Sequence, residues 1–352
     1  MDILLSICIP TYNRIKDLSE VIDSLLRVSS DAFEIVITDN CSTDSTEQTV
    51  CGYSDPRVRY CRNESPLPPF LNMIHSIFNG RGKYALYCND RDLIYPEGLE
   101  RLLTHLRDQD LAFVWGPAAS GKNDGSLMRY TKGFDSLMHH ACIHHPTGMI
   151  FNRTLIAAHL AEEEYAQFLP YVNTYDFLML DLMQYGDTAI YNGGYWGTRS
   201  SRYLRKNASG TVEKSNVDVS KLYFSPETRE RMFTGITKRV MCDNTYQMDE
   251  DELQQVLWKI YLEFCGLFCK YKACMSDEYE TAHYGIQRRH IPTAEILRIF
   301  NGFIDRSIAY LESLKISRKQ IEFIQSKRKE LLIRAVFLCL KIDGINLYRK
   351  IR

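Results

Sequence analysis

Short apolar runs alternate with segments of helical spacing through the first hundred residues. The runs lie at 3–10, 33–40, 58–61 and 83–90. Between the first two runs, apolar side chains such as Leu18, Val21 and Ile22 recur every three or four residues, which is the pattern of an amphipathic helix. Strands that alternate with helices predict a mostly parallel α/β sheet with helices on both faces.

The pattern changes toward the carboxyl end. A further helix and strand are predicted within 94–115, a loop-rich stretch to about residue 145, a strand at 146–153 and a helix at 174–186. Beyond about residue 200 the strand pattern stops, and long amphipathic segments follow at 226–242, 250–275, 292–313 and 317–342. We therefore predict an α/β domain over 1–205 and a helical domain over 206–352.

Composition narrows the class of protein. The chain has 352 residues, of which 45% are hydrophobic and 25% charged, as in ordinary globular proteins. Lys and Arg number 43 against 44 Asp and Glu, so a generic nucleic-acid-coating protein is not expected. Eleven scattered cysteines and the polar N-terminal segment favour reduced thiols in a cytoplasm.

An acidic pair follows the fourth predicted strand. Asp90 and Asp92 flank Arg91, and an Asp-x-Asp pair can offer oxygen ligands to one Mg²⁺ or Mn²⁺ ion. Such an ion keeps positions for water and substrate phosphates, and Arg91 would contact a phosphate or offset the local repulsion. The alternative is a solvated acidic turn that caps the helix starting near Pro96.

Polar loops also follow the first two strands, at 10–14 and 38–44. Asp39 lies where a strand meets its loop, and there it would accept hydrogen bonds from a base N–H or from sugar hydroxyls. An Asx turn is the alternative. We favour a ligand role for Asp39 and a helix-capping role for Asp44, with Ser42 or Thr43 as the cap residue of the same helix.

Four motifs in register carry a resemblance to a known family. They are SICIPTYNR at 6–14, EIVITDNCSTDST at 34–46, RYCRN at 59–63 and GKYALYCNDRDLIYPEGLERLL at 82–103. Their order and spacing across 3–105 resemble the nucleotide-sugar-binding half of family 2 glycosyltransferases with the Rossmann-like A-type fold. Within this family, the chain is most similar to bacterial enzymes that build surface polysaccharides.

The resemblance implies an activity and a set of site residues. The activity is an inverting transfer from a nucleoside-diphosphate sugar to a hydroxyl of a saccharide or lipid-linked saccharide. The implied nucleotide-binding residues are Pro10, Thr11, Tyr12, Asn13, Arg14, Asp39, Arg62, Asn63, Asp90 and Arg91. Asp90 and Asp92 would hold Mn²⁺ or Mg²⁺ on the diphosphate. The family often has three consecutive acids here, and Arg91 replaces the middle one.

An inverting mechanism also needs a base for the acceptor proton. The family places this base as an acid that opens a helix, about ten residues before a glycine. Asp176 lies ten residues before Gly186, and Asp181 is the alternative. Asp176 lies near the predicted helix start, which favours it, although a first-turn acid can also simply stabilise the helix dipole.

Basic and aromatic residues lie at the carboxyl end of the predicted α/β domain. Arg199 and Arg202 would fold over the diphosphate, or else belong to a solvated loop. Trp196 either stacks on a sugar or anchors the domain junction, which we favour. His144 or His145 would line the acceptor side of the cleft, although a structural role is favoured for both.

The last segment, 327–352, combines an apolar stripe with basic residues, and 301–352 carries 12 basic against 5 acidic side chains. Such a helix could lie on an anionic membrane at the inner face of the plasma membrane. Alternatively Leu331, Leu332, Val336, Leu338 and Leu340 pack inside the helical domain, which we favour.

Three classes of function remain after this comparison. A metal-dependent glycosyltransferase is favoured. A nucleotidyltransferase would carry a Gly-rich, Lys/Arg-bearing phosphate loop after the first strand, and PTYNR at 10–14 lacks one. A catalytically inactive relative that only binds nucleotide sugars would not need all of Asp90, Asp92 and Asp176.

Overall fold

The computed structural model describes most of the chain. The described residues are 3–119, 123–140, 145–171, 173–198, 222–242 and 246–351. They fall into two units, the first made of Met1–Leu169 and Asn173–Arg199 and the second of Pro170–Val172 and Ser200–Arg352. The predicted boundary between 205 and 206 lies outside the described residues and stays a prediction.

The first unit contains all strands that the structure describes. These are β1 Leu5–Thr11, β2 Phe33–Asp39, β3 Val58–Arg62, β4 Tyr84–Tyr87, β5 Asp92–Ile94, β6 Phe113–Trp115, β7 Leu127–Tyr130, β8 Met149–Asn152, β9 Thr188–Tyr191 and β10 Trp196–Thr198. Its helices are α1 Ile15–Leu25, α2 Thr46–Cys51, α3 Pro69–Phe78, α4 Pro96–Arg107, α5 Phe134–His140, α6 Arg153–His159 and α7 Thr174–Leu182. A 3-10 helix spans Glu162–Tyr171.

Eight strands form one sheet in the order β3-β2-β1-β4-β8-β6-β9-β7. The strands β3, β2, β1 and β4 run parallel, as does the pair β6 and β9. By contrast, β8 is antiparallel to both of its neighbours, and β7 is antiparallel to β9. The prediction of a mostly parallel sheet is confirmed.

The hydrophobic pattern explains why the first strands and helices form. All seven residues of β2 are buried, as expected for a central strand covered on both faces. In α1 the buried residues Leu18, Val21, Ile22 and Leu25 form one stripe against the sheet. Because the first four strands are parallel, their carboxyl ends, and the polar loops that follow them, lie at one edge of the sheet.

Several local predictions were wrong. The strand β5 was missed: Asp92 begins it and lies opposite Thr198 of the antiparallel strand β10, so Asp92 is not in the solvated acidic turn that was the alternative to a metal site. The helix predicted at 174–186 ends at Leu182. The loop predicted before residue 145 contains β7 and α5. A three-residue strand such as β5 has too few positions to show a period of two, so the hydrophobic pattern could not reveal it.

The second unit is helical in the part that the structure describes. Its helices are α8 Pro226–Cys242, α9 Glu250–Ser276, α10 Glu278–His283, α11 Thr293–Ser313 and α12 Arg318–Ile351. The four predicted helical segments are therefore confirmed. The side chains of Asp249 and Glu252 form a capping box at the start of α9. No helix of the described residues is both long enough and apolar enough to cross a lipid bilayer.

Candidate functional site

The loops after β1 and β2 are clamped together by side-chain hydrogen bonds. Asn13 adopts a positive φ of 52°, and its Oδ1 accepts from the backbone N–H of Thr43 at 2.7 Å and of Asp44 at 3.3 Å. The backbone N–H of Asn13 donates to Ser42 Oγ at 2.9 Å. The predicted nucleotide-binding residue Asn13 therefore fixes the relative position of two strand-end loops.

Asp44 completes this clamp by serving two helix starts. Its Oδ1 accepts from the N–H of Thr46 in α2 at 3.1 Å, and its Oδ2 accepts from the N–H of Ile15 in α1 at 3.3 Å. The predicted capping role of Asp44 is confirmed. The cap residue of α2 is Ser45, however, so the prediction of Ser42 or Thr43 was wrong.

Asp39 is fully buried at the end of β2, and its carboxylate is engaged by the protein itself. Its Oδ1 accepts from the N–H of Ser42, three residues on, at 2.9 Å, which is a local backbone contact like the Asx turn of the alternative but one residue longer. Its Oδ2 accepts from Tyr60 Oη at 2.6 Å and from Arg62 Nη1 at 2.9 Å, both from β3. A base or ribose would therefore share or replace the contacts of Tyr60 and Arg62, and the ligand role of Asp39 stays a prediction.

Asn63, which follows β3, belongs to a buried amide network. Its Nδ2 donates to Asn40 Oδ1 at 2.9 Å and to Asn72 Oδ1 at 2.8 Å. The Oδ1 of Asn63 is buried and accepts no hydrogen bond from the described residues. Tyr12, by contrast, is 53% exposed beside the β1 loop. Asn63 thus supports the loop, whereas Tyr12 presents an aromatic ring to solvent.

Asp90 connects the end of β4 to the end of β1. Its carboxylate accepts from Thr11 Oγ1 at 3.0 Å and from Arg14 Nη1 at 3.2 Å, and only 3% of the residue is exposed. Burial raises the pKa of Asp90, while the positive charge of Arg14 opposes that shift. Both carboxylate oxygens of Asp90 have protein partners, and Arg91 beside it is partly exposed.

Asp92 is held by a different set of donors. Its Oδ2 accepts from Thr147 Oγ1 at 2.5 Å and from Asn89 Nδ2 at 2.8 Å. Thr147 is fully buried and also accepts from both nitrogens of Asn89, while Tyr87 donates to Asn89 Oδ1. Among the described residues, every hydrogen bond to the Asp92 side chain involves Oδ2, so these donors leave Oδ1 available for a ligand.

His145 and Trp196 lie next to this carboxylate. His145 Nδ1 is 4.0 Å from Asp92 Oδ2, and its ring stacks on the indole of Trp196 with centroids 5.1 Å apart. The indole is 2% exposed and donates to the carbonyl of Gly116 at 2.6 Å. Stacking on a sugar needs an exposed ring face, which Trp196 lacks, so the structure disfavours that interpretation.

Asp176 lies in the first turn of α7 and is 2% exposed. Thr174 anchors the helix by donating to the carbonyl of Phe70 in α3 at 2.8 Å. Burial raises the pKa of Tyr87, and the negative charges of Asp90 and Asp92 raise it further. The ring of Tyr175, next to Asp176, packs against Phe70 with centroids 6.5 Å apart, so the start of α7 is held against α3. Asp181, the alternative base, accepts from Tyr165 Oη at 2.9 Å.

The donor set fits a hard divalent cation at Asp92. No group of three His, Cys, Asp or Glu side chains that could hold a metal occurs among the described residues. Mg²⁺ and Mn²⁺ at nucleotide sites often use one or two carboxylates together with substrate phosphates and water, so a three-residue cluster is not required. Asp92 Oδ1 suits this role, whereas the oxygens of Asp90 are already engaged.

The structure thus brings two groups of predicted residues to one sheet edge. Thr11, Arg14 and Asp90 form one group, and Asp39 with Arg62 forms the other. The sequence did not reveal that Thr147 and Asn89 hold the Asp92 carboxylate. Thr147 contacts Asp92 from 55 residues away in the chain, which no local pattern shows. Arg199 and Arg202 lie outside the described residues, as does His144.

Comparison with known proteins matches this architecture. The model of the family described as Glycosyl transferase family 2 matches residues 6–201. Among curated proteins, the chain is 35% identical over 112 residues to the abequosyltransferase RfbV of Salmonella typhimurium, which covers 30% of this chain and 33% of that protein. It is 32% identical over 104 residues to the putative colanic acid biosynthesis glycosyl transferase WcaA of Escherichia coli, covering 29% of this chain and 37% of that protein.

The chain therefore spans well under half the length of these curated relatives. Among solved structures, TarS 1-349 of S. aureus has a TM-score of 0.58 with 15% identity, covering 99% of this chain and 92% of that chain. The same TarS fragment in complex with UDP-GlcNAc has a TM-score of 0.55 with 14% identity, covering 97% and 92%. At this identity the likeness concerns the fold alone, and it extends through both units.

Proposed function

Because the chain belongs to glycosyl transferase family 2, we propose that it transfers a sugar from a nucleoside-diphosphate sugar to an acceptor hydroxyl, with inversion at the anomeric carbon. The observation that carries this proposal is the Asp92 carboxylate, fixed through Oδ2 by Thr147 and Asn89 with Oδ1 available. It lies at the edge of the sheet where parallel α/β sheets bind ligands.

The donor nucleotide binds along the carboxyl ends of β1, β2 and β3. Tyr12 offers an exposed ring for stacking on a base, and Arg62 at 36% side-chain exposure can turn toward a ligand oxygen. Asp90 holds Thr11 and Arg14 at this edge, which places one cationic side chain close to the acidic pair. A diphosphate beside Asp92 then lies within reach of Arg14 and Arg91.

A divalent cation, Mn²⁺ or Mg²⁺, is the expected cofactor. Asp92 would hold it through Oδ1, with the donor diphosphate and water as the other ligands, and Asp90 is the predicted second carboxylate. When bound, the cation neutralises negative charge on the leaving diphosphate. The protein contributes by fixing Asp92, since its Oδ2 is locked by two hydrogen bonds within a buried network.

Asp176 acts as the base. The acceptor oxygen attacks the anomeric carbon while its proton passes to a carboxylate oxygen of Asp176. The bond from the anomeric carbon to the diphosphate breaks, and its electron pair leaves with the diphosphate. Asp176 is preferred over Asp181 because it lies in the first turn of α7, ten residues before Gly186, where the family places its base.

The named relatives suggest the cellular role. RfbV is described as an abequosyltransferase and WcaA as a colanic acid biosynthesis enzyme. We therefore place this protein in the synthesis of a bacterial surface polysaccharide, with a saccharide or lipid-linked saccharide as acceptor. Its expected location is the cytoplasm, peripheral to the inner face of the plasma membrane.

A thermal-shift screen of nucleoside-diphosphate sugars tests the donor site. A bound donor raises the melting temperature in proportion to the logarithm of its concentration over its dissociation constant. At least one sugar nucleotide is expected to raise it by several degrees in Mn²⁺ and by less in EDTA. Equal melting temperatures across a full panel, with and without Mn²⁺, would contradict the proposed donor site. Binding without any transfer to acceptor saccharides would indicate an inactive relative.

Thr147→Val is expected to raise the Mn²⁺ concentration needed for half-maximal activity by about tenfold to a hundredfold. Valine keeps the volume of the buried side chain but removes the hydroxyl that donates to Asp92 Oδ2. The Mn²⁺ dependence of the initial rate measures this effect.

Thr147→Ser is the matched control, because serine keeps the hydroxyl and loses only a methyl group. We expect it to restore most of the Mn²⁺ affinity. If the valine and serine variants need the same Mn²⁺ concentration, the hydroxyl does not position Asp92.

A further inference from the structure

The helix α12 carries apolar side chains on two opposite faces. One face is buried in the second unit, with Leu331, Ala335 and Cys339 fully buried. The thiols of Cys265 and Cys269 in α9 donate to the carbonyls of Leu331 and Ala335, at 3.6 and 3.7 Å. This face is therefore part of the core between α9 and α12.

The opposite face exposes Ile333, Phe337 and Leu340, which we call the outer stripe. Their exposed fractions are 47%, 68% and 55%. Ile333 lies two residues from Leu331 and from Ala335, and two residues correspond to about 200° around a helix, so the outer stripe points away from the buried face. The expectation that Leu340 packs inside the helical domain was therefore wrong, although it holds for Leu331.

The charges around the outer stripe have one sign. Lys329 lies on one side of the stripe, and Arg334 and Lys341 lie on the other, all three exposed and without an ion pair to any described residue. The two acidic side chains within residues 327–352 are already paired within the second unit. Glu330 pairs with Lys327 at 2.7 Å, and Asp343 pairs with the buried Lys272 at 2.7 Å. The unpaired charge that flanks the stripe is therefore entirely positive.

An apolar stripe flanked by unpaired cations is complementary to an anionic lipid surface. Phe337 can enter the boundary between headgroups and acyl chains while Arg334 and Lys341 contact lipid phosphates. A second copy fits less well, because a twofold contact of the stripe with itself would bring the Arg334 and Lys341 side chains of both copies together. We propose that the outer stripe of α12 docks this protein on a membrane rich in anionic lipid.

This inference deepens the proposed function, since a lipid-linked acceptor would lie at the same surface, but no step of the surface argument uses catalysis. Vesicle flotation therefore tests it separately from the nucleotide screen, which is performed without lipid. Failure of flotation leaves the donor-binding result standing, and failure of the nucleotide screen leaves the flotation result standing.

The experiment compares flotation of the full chain with vesicles of phosphatidylcholine mixed with phosphatidylglycerol and with vesicles of phosphatidylcholine alone. We expect the protein to float with the mixed vesicles only. Phe337→Ser is expected to weaken partitioning by about tenfold or more, because the aromatic side chain no longer enters the lipid. Arg334→Gln and Lys341→Gln are each expected to weaken it by about fivefold, and more steeply at low than at high salt.

Matched controls change the same kinds of side chain elsewhere. Met128→Ser removes a side chain that is 44% exposed in the first unit, and Lys315→Gln removes an exposed cation before α12 begins. Both variants should float like the unchanged protein. Because Phe337 is mostly exposed, Phe337→Ser should keep the melting temperature of the parent, which a thermal scan verifies.

Each other outcome overturns the proposal. These outcomes are no flotation of the full chain, equal flotation with both vesicle types, and equal flotation of the parent and Phe337→Ser. Light scattering without lipid identifies the competing occupant: a concentration-dependent dimer that Phe337→Ser dissociates, together with absent flotation, assigns the stripe to a second copy. A monomer that does not float indicates that the stripe is covered by another segment of the same chain.

Discussion

Asp92→Asn is expected to abolish metal-dependent transfer, lowering the rate in Mn²⁺ by about a thousandfold. The amide keeps the shape of the side chain and can still accept the hydrogen bonds of Thr147 and Asn89, so the fold should persist. What is lost is the negative charge that a hard cation requires from its protein ligand. Nucleotide affinity should therefore fall, in Mn²⁺, to the level that the unchanged protein shows in EDTA. Turnover and calorimetric binding, each with and without Mn²⁺, measure both effects.

Asp110→Asn is the matched control for this variant. Its carboxylate is 89% exposed and lies 3.5 Å from the ammonium of Lys83, with no contact to Asp92 among the described residues. Rate and affinity should stay within about twofold of the parent, since exposed ion pairs contribute little. Nucleotide binding by Asp92→Asn that still strengthens on adding Mn²⁺ would show that another residue holds the cation.

Asp176→Asn is expected to leave donor affinity near normal while lowering turnover by about a thousandfold. An amide cannot take the acceptor proton, but it can occupy the same buried position at the start of α7. The loss should appear in kcat, because the base acts only when the hydroxyl attacks. Donor binding by calorimetry and acceptor-dependent turnover separate the two quantities.

Asp181→Asn tests the alternative base on the same helix. Its carboxylate accepts from Tyr165 Oη at 2.9 Å, a hydrogen bond that the amide oxygen of asparagine can still accept, so both the melting temperature and turnover should stay near those of the parent. Two results would reject the assignment of Asp176. One is a fall in donor affinity as steep as that of Asp92→Asn, and the other is a collapse of turnover in Asp181→Asn alone.

Much of the fold could be predicted because the necessary information is local. The strands β1 to β4 and the helices between them follow from apolar spacing within windows of about ten residues. The long helices α9 and α11 begin and end within one or two residues of their predicted bounds. The direction of each strand was harder to predict. The strand β8 is antiparallel to β4, and no local sequence pattern distinguishes it from a parallel strand.

The sequence predicted which residues lie at the candidate site, but not what each of them does there. Asp39, Asp90 and Asp92 all lie at the predicted sheet edge. Their partners nevertheless differ: Asp39 is paired with Arg62, Asp90 with Arg14, and Asp92 with the neutral donors Thr147 and Asn89. Asp39 and Asp90 are thus paired with arginine side chains, whereas the carboxylate of Asp92 is held by neutral hydrogen-bond donors.

The sequence by itself determined the order of strands and helices along the chain. It also determined that polar loops follow the carboxyl ends of the first strands. Both depend on periodicity and turn residues, which act between near neighbours in the chain. Only the tertiary structure decided which oxygen of Asp92 is available and which face of α12 is exposed. Thr147 reaches Asp92 from the turn before the antiparallel strand β8, 55 residues away in the chain. The helix α12 is apolar on two faces, and packing against α9, rather than the sequence pattern, selects the face that is buried.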